Sequence, residues 1–102
     1  MARVRLVWTP EAKEDVRKIR DYVAKDSPGA AKALANRIKE TAQRLRDSPL
    51  FGAEVPEFGR PEIREVLVGN YRIIYVPGKS AVTILRVFHG SRLLGFENLL
   101  FE

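Results

Sequence analysis

Ile63-Arg64-Glu65-Val66-Leu67-Val68-Gly69-Asn70-Tyr71-Arg72-Ile73-Ile74-Tyr75-Val76 is the stretch on which the fold turns. Two β-rich runs, 62–68 and 71–76, flank Gly69-Asn70, a pair suited to the two-residue type II′ or I′ turn that joins antiparallel strands. A turn of that length pairs Val68 with Tyr71 and so fixes the alternation of side chains on both strands. Arg64, Val66, Val68, Tyr71, Ile73 and Tyr75 then share one face of the hairpin. Ile63, Glu65, Leu67, Arg72, Ile74 and Val76 share the other, with Glu65 and Arg72 diagonally across from each other. Both faces are mostly apolar. One is expected to pack on the rest of the chain, and the second to be covered by the C-terminal tail or by a partner.

Downstream of the hairpin, Pro77-Gly78-Lys79-Ser80 makes a second turn and Val82 to Phe88 a last strand, completing an antiparallel meander. Upstream, residues 49–61 hold Pro49, Gly52, Pro56, Gly59 and Pro61 and read as a connecting loop. Two helices come before it. In the first, Thr9 is the N-cap and Pro10 the first helical residue, with Glu11 and Glu14 near the positive end of the dipole. Its apolar stripe is Ala12, Val16, Ile19, Tyr22 and Val23. Asp26-Ser27-Pro28-Gly29 ends that helix and starts another, with Ser27 as N-cap and a stripe of Ala31, Leu34, Ile38, Ala42 and Leu45. Residues 3–8 alternate as a short opening strand. The expected fold is α+β: an N-terminal strand, an antiparallel helical hairpin and a three-stranded antiparallel meander forming one sheet. It is a single domain over residues 1–102, with an apolar tail over about 93–102.

The composition excludes several classes of function. The chain has no cysteine and one histidine, so no metal site or thiol chemistry is expected, and nothing implies a cofactor. Its apolar runs are too short to cross a bilayer, and Arg3 and Arg5 interrupt the apolar start, so neither a membrane span nor a secretion signal is read and a cytoplasmic protein is expected. The net charge is +5, and it is unevenly placed. Residues 1–47 carry 12 Lys and Arg against 7 Asp and Glu, whereas residues 48–102 carry 6 of each. The helical half therefore holds the excess, and the strands, where an RNA-cutting site would want its cations, hold none.

Particular residues carry a resemblance. Trp8-Thr9-Pro10-Glu11-Ala12 with Asp15, Ile19 and Tyr22, the helix exit Leu45 to Pro49 with Gly52, and Ile63-Arg64-Glu65 resemble the opening and middle of the ParE/RelE toxin superfamily of type II toxin–antitoxin systems. Tyr71-Arg72-Ile73-Ile74-Tyr75 is the most specific block. Ile84-Leu85-Arg86-Val87-Phe88-His89-Gly90-Ser91-Arg92 is similar to the last strand and the His-Gly-x-Arg ending frequent in ParE-like members. The resemblance implies a growth-inhibiting toxin in a hetero-oligomer with a cognate antitoxin that wraps it. For the ParE branch it implies DNA gyrase as the target and no hydrolytic site. For the RelE branch it implies cleavage of mRNA on the ribosome.

The candidate site residues separate the branches. Cleavage by 2′-hydroxyl attack needs a base, cations for the phosphate and an acid for the leaving oxygen. Arg72 matches a phosphate-binding arginine of RelE-type nucleases, and His89 has the side chain suited to acid–base work near neutrality. With a loop glutamate, Glu54 or Glu57, they would make a catalytic set. Against this, Ile63 and Glu65 stand where those nucleases place lysines, and Gly90 stands where they place an arginine, so the ParE branch is favoured. Arg64, Arg72, Arg86, His89, Arg92 and Phe96 are the expected contacts to a target or an antitoxin. A basic binding module with no toxicity is the further alternative.

Overall fold

The computed structural model describes residues 4–90. Strand β1 (Arg5–Trp8) leads into helices α1 (Pro10–Ala24) and α2 (Pro28–Arg44), followed by β2 (Ala53–Glu54), β3 (Arg64–Val68), β4 (Tyr71–Pro77) and β5 (Ala81–His89). The strands form one sheet in the order β1-β5-β4-β3-β2. β1 lies parallel to β5, and the other neighbours are antiparallel.

Both helices begin where their caps place them. Thr9 Oγ1 accepts the Ala12 N–H at 3.0 Å, and Ser27 Oγ accepts the Ala30 N–H at 3.1 Å. The hairpin forms in the expected register, with Val68 opposite Tyr71. Gly69 has φ +56°, and among the described residues none other than glycine takes a positive φ, so Asn70 does not and the turn is type II′. Val16, Ile38 and Leu45 of the helices close over Val66, Ile73, Tyr75 and Val87 of the sheet to form the main core.

Three details differ from the sequence reading. Tyr22 is 69% exposed. At about 100° per residue it lies near a right angle to the line of Ala12, Val16, Ile19 and Val23, and its ring rests instead beneath Lys25 Nζ, 5.8 Å from the centroid. The connecting loop contributes a fifth strand, since Ala53 and Glu54 pair with Glu65 and Arg64 at the sheet edge. The same loop also covers much of the second sheet face. Val55 and Phe58 pack with Ile63, Ile74 and Phe88, so this part of the cover comes from the loop. Leu67 remains 65% exposed on that face.

The loop approaches so closely because Gly52 has no side chain. The Tyr75 hydroxyl accepts the Gly52 N–H at 2.8 Å and donates to Pro49 O at 2.8 Å, while Arg64 Nη1 donates to Gly52 O at 2.7 Å. At the other side of the sheet, β1 ends at Trp8 opposite Ile84, and the β4–β5 ladder slips by one residue just beyond, between Ile74 and Tyr75. The start of α1 satisfies the β5 groups left over. Thr9 N–H donates to Ile84 O at 3.1 Å, Thr9 Oγ1 donates to Leu85 O at 2.8 Å, and Asp15 Oδ2 accepts the Val87 N–H at 2.9 Å.

Candidate functional site

Side chains alternate across a strand, so the β4–β5 register decides which candidates converge. Tyr71 is opposite His89, and Arg72 is opposite Phe88. His89 lies on the helix side, where its ring meets Tyr71 edge-on with centroids 5.3 Å apart, and it is exposed. Arg72 lies on the other side. The two candidates for phosphate and proton therefore project from opposite faces of the sheet.

Arg72 is engaged within the chain. Its Nη1 and Nη2 donate to the two carboxylate oxygens of Glu57 at 2.7 and 2.9 Å, and its Nε donates to Glu65 Oε1 at 2.6 Å. The guanidinium side chain is 6% exposed, against 21% for Glu57 and 15% for Glu65. Its hydrogen bonds to Glu57 hold Arg72 more firmly charged than a free arginine, and the same contact holds the Glu57 carboxyl below its ordinary range. This bidentate clasp ties the loop bearing Phe58 to β4. Glu57 is thus the loop glutamate that meets Arg72.

Glu54 is elsewhere. It sits on β2, in the row of Arg64 and Tyr75, whereas His89 sits in the row of Tyr71. Four residues along the strands are about 13 Å and three strand spacings about 14 Å, a backbone separation of roughly 19 Å. The structure does not bring Glu54, Arg72 and His89 together.

Among the described residues, the other candidate arginines, Arg64 and Arg86, also have internal partners. Arg64 reaches back to Gly52 O. Arg86 donates from Nε and Nη2 to Asp15 at 2.7 and 3.0 Å, with its guanidinium 4.6 Å from the Phe88 ring centroid. Hydrogen bonding to Asp15 raises the Arg86 pKa further. Arg92 and Phe96, with the rest of the expected tail, lie outside the described residues. The structural roles of Asp15 and Gly52 were not read from the sequence. The signal for Asp15 is indirect: β1 is shorter than β5, so something near the start of α1 has to satisfy the surplus β5 groups.

Comparison with known proteins is consistent with this architecture. The model of a family described as ParE toxin of the type II toxin–antitoxin system parDE matches residues 6–94. The Toxin RelE2 of Caulobacter vibrioides is 41% identical over 97 residues, covering 91% of this chain and 100% of that protein. Among solved structures, the chromosomal ParDE system of P. aeruginosa superposes with TM-score 0.71 at 25% identity, over 84% of this chain and 95% of that one. The toxin–antitoxin complex RelBE2 of Mycobacterium tuberculosis shares the fold, with TM-score 0.62 at 24% identity over 86% of this chain and 99% of that one.

Proposed function

The chain belongs to the ParE toxin family of type II toxin–antitoxin systems, and on that premise we propose that it arrests bacterial growth by poisoning DNA gyrase, acting in the cytoplasm as a protein inhibitor without a hydrolytic site. A cognate antitoxin neutralises it in a hetero-oligomer. The observation that carries this reading is the arrangement around β4. A phosphate at His89 would find Arg72 on the opposite face, already bound by Glu57 and Glu65. Cleavage of ribosome-bound mRNA, the alternative, requires Arg72 to leave two carboxylates and turn through the sheet. Arg64 and Arg86 serve the fold, so the target contact is assigned to the exposed His89 end of β5 and to Arg92 and Phe96 beyond it.

Expression of the chain without an antitoxin is expected to arrest growth, and His89→Ala to weaken the arrest by the loss of one target contact without abolishing it. Colony counts after induction check this, with soluble yield and thermal midpoint as controls. Loss of killing in a stable His89→Ala protein would favour mRNA cleavage instead. Harmless expression of soluble wild-type chain would favour a basic binding module.

A further inference from the structure

The net charge of +5 comes from the helical half of the chain, and folding gathers much of it in one place. At about 100° per residue, Lys13 and Arg20 of α1 point within about 20° of each other. Lys39 of α2 joins them around one hollow beside Trp8. An adjoining hollow, also bordered by Trp8, brings in Arg5 of β1 and Arg46 from just past the end of α2. Three elements thus build one cationic track, and no carboxylate lines either hollow.

The nearby carboxylates of α1 are engaged elsewhere. Glu14 and Asp21 hold Arg17, and Asp15 holds Arg86. Arg20 comes no nearer to Asp21 than 3.9 Å, and Arg5, Lys13 and Lys39 are exposed and form no ion pair among the described residues. Cations so placed repel one another, and a polyanion laid along them relieves that repulsion while releasing its own condensed counterions. Lys13 and Arg20 stand two turns apart on α1, about 10 Å along its axis, which is the span of about three phosphates on one strand of a DNA duplex.

We infer that this track holds the phosphate backbone of a DNA duplex, with Arg5, Lys13 and Lys39 as its main contacts, and that the duplex is the one gyrase holds, an identification that rests on the gyrase proposal above. Lysine and arginine reach phosphates without reading base edges, so the contact is independent of sequence. In the hollow bearing Lys13, Arg20 and Lys39 the apolar lining is Trp8 and the buried Val16. That is too narrow for the apolar seam a protein partner brings, whereas phosphates need none. The toxin thereby grips the DNA of its target complex through the helices and the gyrase protein through the His89 end of β5.

The test titrates the full chain into a short, fluorescently labelled DNA duplex without gyrase. Three phosphate contacts predict that affinity falls about fortyfold between about 50 and 200 mM salt. Lys13→Glu with Lys39→Glu should weaken binding at least about tenfold at the lower salt and reduce the salt dependence to about fourfold, without moving the thermal midpoint. Lys18→Glu with Lys25→Glu changes the net charge equally but away from the track, and should bind within about threefold of the wild type. The inference is overturned if the wild type does not bind the duplex at the lower salt, if the two double variants lose affinity equally, or if polyglutamate of equal charge binds more tightly than the duplex. A parallel supercoiling assay keeps the two proposals apart: wild-type protein that binds the duplex but leaves gyrase supercoiling intact would overturn the gyrase reading and not the DNA-binding track.

Discussion

Arg72→Met is expected to lower the unfolding free energy by about 3 kcal/mol, measured by urea denaturation, because it leaves Glu57 and Glu65 facing each other without their shared cation. All three side chains are mostly buried, so solvent screens little of the loss. The effect extends beyond the ion pair. Glu57 is two residues from Val55 and next to Phe58, which cover the apolar face of Ile74 and Phe88, so releasing the clasp loosens that cover. Acid acts on the same contact. The folded pKa of Glu57 is depressed from its ordinary 4.5 by Arg72. Its contribution is therefore present above about pH 4.5 and lost as pH falls through the lower folded value, and this part of the acid dependence should vanish in Arg72→Met. A loss below about 1 kcal/mol would mean that Arg72 is held no more tightly than a surface arginine and is available to a ligand.

Gly52→Ala is expected to cost about 2–3 kcal/mol, again by urea denaturation. A Cβ at this position would collide with the carbonyl oxygen of Glu65 and lie 2.7 Å from the Tyr75 hydroxyl. Neither neighbour can yield easily. Glu65 belongs to the β3 ladder, and the buried Tyr75 hydroxyl bridges Gly52 N and Pro49 O. Relief by moving the loop would break the contact of β2 with β3. Gly29→Ala is the matched control: it lies in the first turn of α2 with nothing within 4 Å of an added Cβ. That substitution should be neutral or slightly stabilising, because alanine is the better helix former. Equal effects at the two glycines would show that the loop is not packed as closely as described.

What the sequence made legible was whatever local chemistry decides. Gly69-Asn70 set the register of Val68 and Tyr71, and Thr9-Pro10 and Ser27-Pro28 set where both helices begin. The placement of Glu65 and Arg72 on one face followed from alternation alone, and the ion pair is present. Long-range contacts were less visible. The residues 49–61 carry loop signals because of their prolines and glycines, yet Val55 and Phe58 among them are buried, and only the sheet to which they return explains this. The slip of register beside Leu85 left no mark in the sequence, because it depends on where β1 stops. For the candidate site, residue identity suggested Arg72 and His89 as a catalytic pair, but their positions opposite Phe88 and Tyr71 put them on different faces.

The central claim is that this ParE-family chain acts on gyrase and carries no RNA-cutting site. The direct measurement adds purified protein to gyrase, relaxed plasmid and ATP, and in parallel to ribosomes bound to mRNA. Loss of supercoiling with accumulation of gyrase-cleaved DNA, and intact mRNA, is the predicted result. Unchanged supercoiling and gyrase cleavage alongside cut mRNA would contradict it.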